Sequence, residues 1–341
     1  MQMRDDLGIT TKLENGKAYL EFALPEKIGR LLSALQIEIW EGAEGERLVF
    51  HGEYSSEEAD SMTALLLRPH LWDGMRDPYV YLVKAQGRFR SVEYGEKMGG
   101  MEKEEESDHA EDITEAVEVY WQQELAIYDV HVIDKKGIFL NEKEFLPHEV
   151  VYRLPPQISD AGTRVEQVRR DLERLVRMGV NAIRLEGTGS GAERQNCYEV
   201  RAFYRLCRRG GFLTGDLWIR PENLPVYRGL PGETTCQALL AADGRTLTER
   251  YYYYQAKWSS EPVLYPVLST LHRQENGLLS LTIYSNQKKV VLYVDGLLFL
   301  FQTAASGDPE FIFEDIPVEK LPLHLAVEAG NLSISLTVTK L

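Results

Sequence analysis

The stretch VRRDLERLVRMGVNAIRL, residues 168–185, decides the fold class because it joins a helical pattern directly to a strand. Apolar residues recur at helical spacing up to Gly179, a good residue for ending a helix, and VNAIRL then follows as a buried strand. A short strand, VVY at 150–152, precedes this unit. A second helix around Phe203 and a third strand, FLTGDLW at 212–218, follow it. The order β-α-β-α-β predicts parallel strands.

On both sides of this unit, short runs of β-branched and aromatic residues predict antiparallel strands. We therefore predict a mainly β chain, in which two immunoglobulin-like β-sandwiches flank a small α/β module. The predicted boundaries are 1–145 for the first sandwich, 146–230 for the module and 231–341 for the second sandwich. Within the last of these, Tyr251–Tyr254 are read as strand residues and are expected to serve packing, with a stacking platform for sugar rings as the alternative.

Charge and composition exclude several classes of function. The 341 residues carry a net charge of −15, which disfavours binding to nucleic acid or to an anionic membrane surface. No apolar stretch is long enough to span a membrane, and the N-terminus lacks a signal-peptide pattern, so we expect a cytoplasmic protein. The cysteines Cys197, Cys207 and Cys236 fit no zinc spacing. No metal or other cofactor is predicted.

Five strings of sequence, taken in order, resemble glycoside hydrolase family 2, the β-galactosidase and β-glucuronidase group. RPHLWDGMRDPYVYLVKA at 68–85 is similar to part of that family's immunoglobulin-like domain, and YDVHVIDKKGIFLNEKEF at 128–145 to its lead-in to the barrel. The stretch VRRDLERLVRMGVNAIRL at 168–185, together with FYRLCRRGGFLTGDLW at 203–218, resembles the first helices and strands of the barrel. YYYYQAKWSSEPVLYP at 251–266 and LTIYSNQKKVVLYVDG at 281–296 resemble a C-terminal sandwich domain.

The length of the central module departs from this family. A complete (β/α)8 barrel takes about 250 residues, whereas only about 90 separate the lead-in from the second sandwich, enough for about three strands. The resemblance implies an acid/base glutamate on the fourth strand and a nucleophile on the seventh, and we expect neither here. Hydrolysis of a glycoside needs two carboxylates facing one bond, and three strands cannot close the ring that holds them.

The remaining acids at strand ends are the candidate site residues. Glu186, Asp216 and Trp218 form a predicted vestigial sugar site, and Glu149 is expected near them at the carboxyl ends of the strands. No catalytic residue is predicted. The glycine-rich loop at 187–192 follows a strand and precedes a helix, as a phosphate-binding loop does, but we expect it to be a connecting loop that binds no phosphate. The acidic segment 93–118 is expected to be a solvated loop and not a calcium site.

These observations predict a catalytically degenerate relative of family 2, which acts as a carbohydrate-binding or protein-interaction module. One alternative is an active β-glycosidase that retains configuration and has relocated its carboxylates. A second alternative is a structural subunit of a larger assembly. An open parallel sheet leaves an edge and an apolar face, so either the sandwiches cover it or the chain forms a homodimer.

Overall fold

The computed structural model describes most of the chain, and its contacts divide the chain into two compact units, Met1–Phe145 and Leu146–Leu341. The described residues are 7–24, 32–58, 61–90, 116–154, 161–186, 197–214, 224–228, 238–304 and 307–340. Most of the acidic segment, the glycine-rich loop, Asp216 and Trp218 lie outside these ranges. The separation of residues 146–230 from 231–341 as two domains stays a prediction.

Two antiparallel sheets, which we call the N-terminal sheet pair, share one apolar core in the first unit. The sheet orders are β1-β2-β5 and β4-β3-β6-β7, and a smaller antiparallel sheet, β10-β9-β8, follows. The elements are β1 Gly8–Glu14, β2 Lys17–Ala23, β3 Leu32–Glu41, β4 Arg47–Ser55, a short 3-10 turn Ser56–Glu58, β5 Thr63–Leu67, a second turn Gly74–Arg76, β6 Tyr81–Arg90, β7 Ala116–Leu125, β8 Val130–Ile133, β9 Gly137–Leu140 and β10 Lys143–Phe145.

Strict alternation in the sequence produces these sheets. In KAYLEFA, strand β2, Ala18, Leu20 and Phe22 are buried while the intervening residues are exposed. The turn before it is Asn15–Gly16, and both residues adopt positive φ, as a tight two-residue hairpin requires. Leu20 packs in the same core as Ile37 of β3, so the two sheets face each other.

The second unit begins with one small parallel sheet that carries helices. Its strands are β11 Glu149–Arg153, β12 Ala182–Glu186, β13 Leu213–Thr214, β14 Val226–Arg228 and β15 Ala238–Leu240. Its helices are α1 Ala161–Met178, α2 Cys197–Arg209 and α3 Glu249–Trp258. The sheet order is β13-β12-β11-β14-β15, with all four pairings parallel. Strands β14 and β15 therefore join the opposite side of β11, and the described part of the sheet stays open.

Two expectations about this region are wrong. The sheet has five described strands and not three, because β14 and β15 are three-residue strands too short to show a hydrophobic pattern. Tyr251–Tyr254 lie on helix α3 and not on a strand. Four consecutive tyrosines hide any periodicity, whereas Gln255, Ala256 and Lys257 after them are good helix formers.

The C-terminal part consists of two further antiparallel sheets, which we call the C-terminal sheet pair. Their orders are β16-β17-β20 and β19-β18-β21-β22, and Leu281 and Leu292 lie in their shared core. The strands are β16 Leu264–Arg273, β17 Leu279–Ser285, β18 Lys289–Val294, β19 Leu297–Thr303, β20 Glu310–Ile316, β21 Leu323–Ala329 and β22 Leu332–Val338. The predicted turn at Asp295–Gly296 is present, with positive φ at both residues.

The prediction of a mainly β chain with one small α/β part is thus confirmed at the level of antiparallel sheets plus a parallel sheet with helices. None of the helices in the described ranges is long and apolar enough to cross a membrane.

Candidate functional site

The carboxyl ends of β11, β12 and β14 form the candidate site. In open α/β sheets, ligands bind at this edge, where the strand order reverses, and here the reversal falls between β11 and β14. Arg153, Glu186 and Arg228 end these three strands. The parallel register places Arg153 beside Glu186.

An ion pair between Arg153 and Glu186 spans this edge. The Arg153 Nε donates to Glu186 Oε2, and Nη2 lies 3.4 Å from Oε1, so the contact is bidentate. Arg153 Nη1 also donates to the carbonyl oxygen of Arg228 at 3.3 Å. The Glu186 side chain is 47% exposed, whereas that of Arg153 is 18% exposed. Of the predicted site residues, Glu186 is the one that falls in a described range, and its carboxylate is held by an arginine.

Asp171 of α1 is the centre of a buried polar cluster on the same sheet. Its side chain is fully buried and accepts hydrogen bonds from the hydroxyls of Tyr152 at 2.9 Å and Tyr227 at 3.1 Å. Arg228 Nη2 donates to Asp171 Oδ2 at 2.5 Å, and Gln167 Nε2 donates to Oδ1 at 3.0 Å. Two tyrosines, an amide and a guanidinium therefore satisfy one enclosed carboxylate.

Sequence reasoning missed this cluster, although α1 carries a signal for it. Asp171 lies three residues after Val168 and four before Leu175, so it falls on the buried stripe of the helix. A carboxylate at such a position must find partners, because burying an unpaired charge is costly. The partners come from β11 and β14, and only the folded chain brings those strands together.

Burial controls the protonation of the two tyrosines in the cluster. Burial, and then the negative charge of Asp171, raises the pKa of Tyr152 well above 10.0. Burial in the same cluster also raises the pKa of Tyr227, and the carboxylate of Asp171 adds to the shift. Both hydroxyls therefore stay protonated and donate to Asp171. The cluster is suited to holding α1 against the sheet, and its enclosed carboxylate is out of reach of a substrate.

Glu149 does not lie at the carboxyl ends of the strands, so this expectation is wrong. It is the first residue of β11, at the opposite edge of the sheet from Glu186. Its Oε1 accepts a hydrogen bond of 3.0 Å from Nε of Arg184, and both side chains are buried. Because Glu149 directly precedes VVY at 150–152, it borders the amino end of that strand, and the carboxyl end falls at Arg153.

The tyrosine cluster serves packing, as predicted, and Trp72 is also packed. Tyr252 of α3 stacks on Tyr265 of β16 with 3.8 Å between ring centroids, and Tyr253 meets Tyr284 of β17 edge to face. Trp72 is 1% exposed. Asp216, Trp218 and the loop 187–192 lie outside the described residues. Among the residues that are described, no three histidine, cysteine or acidic side chains are grouped so that they could hold a metal ion.

Comparison with known proteins relates the whole architecture to glycosidases. No protein-family model and no curated protein matches the sequence. Among solved structures, the FMN-binding β-glucuronidase from Facaelibacterium prausnitzii L2-6 aligns with 98% of this chain and 74% of its own, at 13% identity and a TM-score of 0.68.

Two further structures agree with this likeness. A β-glycosidase from Bacteroides vulgatus has a TM-score of 0.63 at 11% identity, over 98% of this chain and 64% of its own. A glycoside hydrolase family 2 member from Bacteroides cellulosilyticus DSM 14838 has a TM-score of 0.60 at 12% identity, over 98% and 63%. Across eight similar structures, the chain spans 61 to 74% of their length. Along nearly its whole length, this chain therefore has the fold of part of a glycoside hydrolase family 2 structure.

Proposed function

We propose that this chain is a non-hydrolytic relative of the family 2 glycosidases, which acts by binding a carbohydrate. The observation that carries the proposal is the engagement of its acids by arginines. Glu186 pairs with Arg153, while Asp171 is enclosed and pairs with Arg228. A retaining glycosidase needs two accessible carboxylates about 5–5.5 Å apart, facing one glycosidic bond. Asp171 is enclosed, and the Glu186 carboxylate, which is 47% exposed, is already held by Arg153.

The sheet topology supports the same proposal. In a (β/α)8 barrel the strands follow one another around a closed ring, and the catalytic residues converge from several strand ends. Here β14 and β15 return to the other side of β11, so the described sheet has two ends. The immunoglobulin-like character of the two sheet pairs, a cytoplasmic location and a carbohydrate ligand complete the proposal.

Hydrolysis is tested directly. Purified protein at high concentration is incubated with chromogenic β-galactoside, β-glucuronide, β-mannoside and β-glucoside substrates, beside an active family enzyme. We expect no turnover above the buffer control. Turnover that disappears in Glu186→Gln or in Asp216→Asn would contradict the proposal and would support the alternative of a glycosidase with relocated carboxylates.

One observation favours a second candidate function, self-association through β19. This edge strand, LLFLFQT, exposes Leu297 by 76%, Leu298 by 59% and Phe301 by 51%. Exposed apolar edge strands readily pair with another strand. A second copy of the same chain is the occupant that fits, because β19 carries no charge and two such strands can approach each other without local repulsion. Antiparallel pairing of two β19 strands about a two-fold axis sets no like charges opposite each other.

Light scattering at micromolar concentration tests this candidate. We expect a dimer that Leu298→Lys converts into a monomer, since a lysine on an edge strand blocks pairing. The matched control is Leu65→Lys on β5, another edge strand, where the leucine is 43% exposed. A wild-type protein that is strictly monomeric would overturn self-association.

A further inference from the structure

The outer face of the sheet β4-β3-β6-β7 carries a trough that is distinct from the candidate site on the parallel sheet. Two grooves of about 540 and 380 Å³ lie on this face, and both are lined by Gln36 and Gln86. They therefore join into one depression across the middle strands, which we call the amide trough. Ala34 lines the larger groove, where its short side chain leaves room on the face.

Register brings the amides of the trough together. Gln36 of β3 lies opposite Gln86 of β6, which in turn lies opposite Tyr120 of β7. In the next row, Lys84 lies opposite Gln122. Three carboxamides from three neighbouring strands thus line one depression, and each carboxamide offers both hydrogen-bond donors and an acceptor.

Hydrogen bonds hold the aromatic wall of the trough in place. Gln86 Nε2 donates to the Tyr120 hydroxyl at 3.0 Å, and that hydroxyl donates to Glu118 Oε2 at 2.7 Å. Tyr120 remains 46% exposed, so its ring presents an apolar surface beside the amides. On the other side of the trough, Trp40 Nε1 donates to Glu38 Oε2 at 3.0 Å, which fixes that carboxylate. These groups are ordered before any ligand arrives.

The chemistry of the trough selects an uncharged, hydroxyl-rich ligand. Glu38, Glu53 and Glu58 on its lining outnumber Lys84 and Arg88, which disfavours anions. The lining amides would be left unsatisfied by an apolar ligand, which disfavours hydrocarbon surfaces. Sugar hydroxyls both donate and accept, as carboxamides do, and the apolar face of a pyranose ring can lie on a tyrosine. The volume of the grooves falls in the range of small-molecule sites.

We propose that the amide trough binds an uncharged oligosaccharide, with Gln36 and Gln86 contacting hydroxyls and Tyr120 stacking on a sugar ring. This inference rests on the proposed function, since it assigns the carbohydrate to a surface of the first unit. Gln86 acts twice, because it contacts the sugar and also positions the ring of Tyr120.

The test uses the full chain and saturation-transfer NMR with cellotetraose, xylotetraose, mannotetraose and maltotetraose. We expect one of them to bind. Tyr120→Ala and Gln86→Ala should each raise the Kd of that tetrasaccharide by about tenfold or more. Tyr19→Ala is the matched control, since Tyr19 is 40% exposed on β2, in the other sheet of the same unit. Its Kd should equal that of the wild type.

Two results would overturn the inference: none of the four tetrasaccharides binds, or Tyr120→Ala and Gln86→Ala bind as the wild type does. Cleavage products are measured in the same samples. Cleavage would contradict the non-hydrolytic function, whereas the comparison of Tyr120→Ala with Tyr19→Ala separately decides whether the trough is the binding site.

Discussion

The parallel sheet and the C-terminal sheet pair differ in the kind of polar side chain that they bury. Around the parallel sheet, Asp171, Arg228, Glu149 and Arg184 are buried as ion pairs. In the described part of the C-terminal sheet pair, the buried polar side chains are hydroxyls of β17, and no charged side chain is buried. Asp171 thus ties α1 to β11 and β14, and Glu149 ties β11 to β12.

The largest effect is expected where a buried charge loses its partner. Asp171→Ala leaves the guanidinium of Arg228 and the hydroxyls of Tyr152 and Tyr227 without their acceptor. It should lower the free energy of unfolding by about 3–5 kcal/mol. Urea denaturation monitored by circular dichroism measures the change. The double variant Asp171→Leu with Arg228→Met removes both charges and should recover much of the loss. A loss under about 1 kcal/mol in Asp171→Ala would show that the cluster is not needed for stability.

The apolar core of the C-terminal sheet pair should respond through lost packing. Leu292→Ala, at a fully buried position of β18, leaves a cavity and should cost about 2–5 kcal/mol. Leu268→Ala, at a position of β16 that is 55% exposed, is the matched control and should change the free energy of unfolding by less than about 0.5 kcal/mol. Equal losses at both positions would mean that burial does not set the cost of removing a leucine here.

The ionisation of Tyr152 should make the protein less stable as the pH becomes alkaline. Its folded pKa is raised by burial and by Asp171, so the folded state keeps a proton that the unfolded state releases above about pH 10. The unfolded state then binds fewer protons, and stability falls as the pH rises through that region. Tyr152→Phe should cost about 1 kcal/mol at pH 7 and should make the decline between pH 9 and 11 shallower. If Tyr152→Phe loses stability with pH as steeply as the wild type does, Tyr152 does not contribute to this pH dependence.

The smallest effect concerns His148, which stacks on Trp258 and whose Nδ1 lies 2.9 Å from the carbonyl oxygen of Gly179. Burial lowers the folded pKa of His148, and the contact with Gly179 opposes part of that shift. The unfolded state therefore takes up a proton first as the pH falls below about 6.5, and stability declines. Between pH 7.5 and 5.5 the His148→Gln variant should lose less stability than the wild type, by up to about 1 kcal/mol. Equal losses would contradict this role.

The positions of Glu186 and Glu149 could be predicted from the sequence, whereas most of the candidate site could not. Glu186 follows the strand VNAIRL and Glu149 precedes the strand VVY, so in a parallel sheet the two acids lie at opposite ends of their strands. The expectation that brought them together overlooked this order, and the register of β11 against β12 corrects it. Asp171 carried a local signal on its helix, but its partners come from strands 19 and 57 residues away. Strands of three residues, such as β14, have no pattern of their own.

The sequence by itself determined the acidic charge, the alternation that builds the sheets, the amphipathic helix α1 and the turns at Asn15–Gly16 and Asp295–Gly296. Those properties depend on residues close together in the chain, where spacing and backbone preference decide. The tertiary structure alone decided that Arg153 meets Glu186, that Asp171 meets Arg228, and that three glutamines line one trough. Such pairings depend on strand order and register, which arise from packing between segments far apart in the sequence.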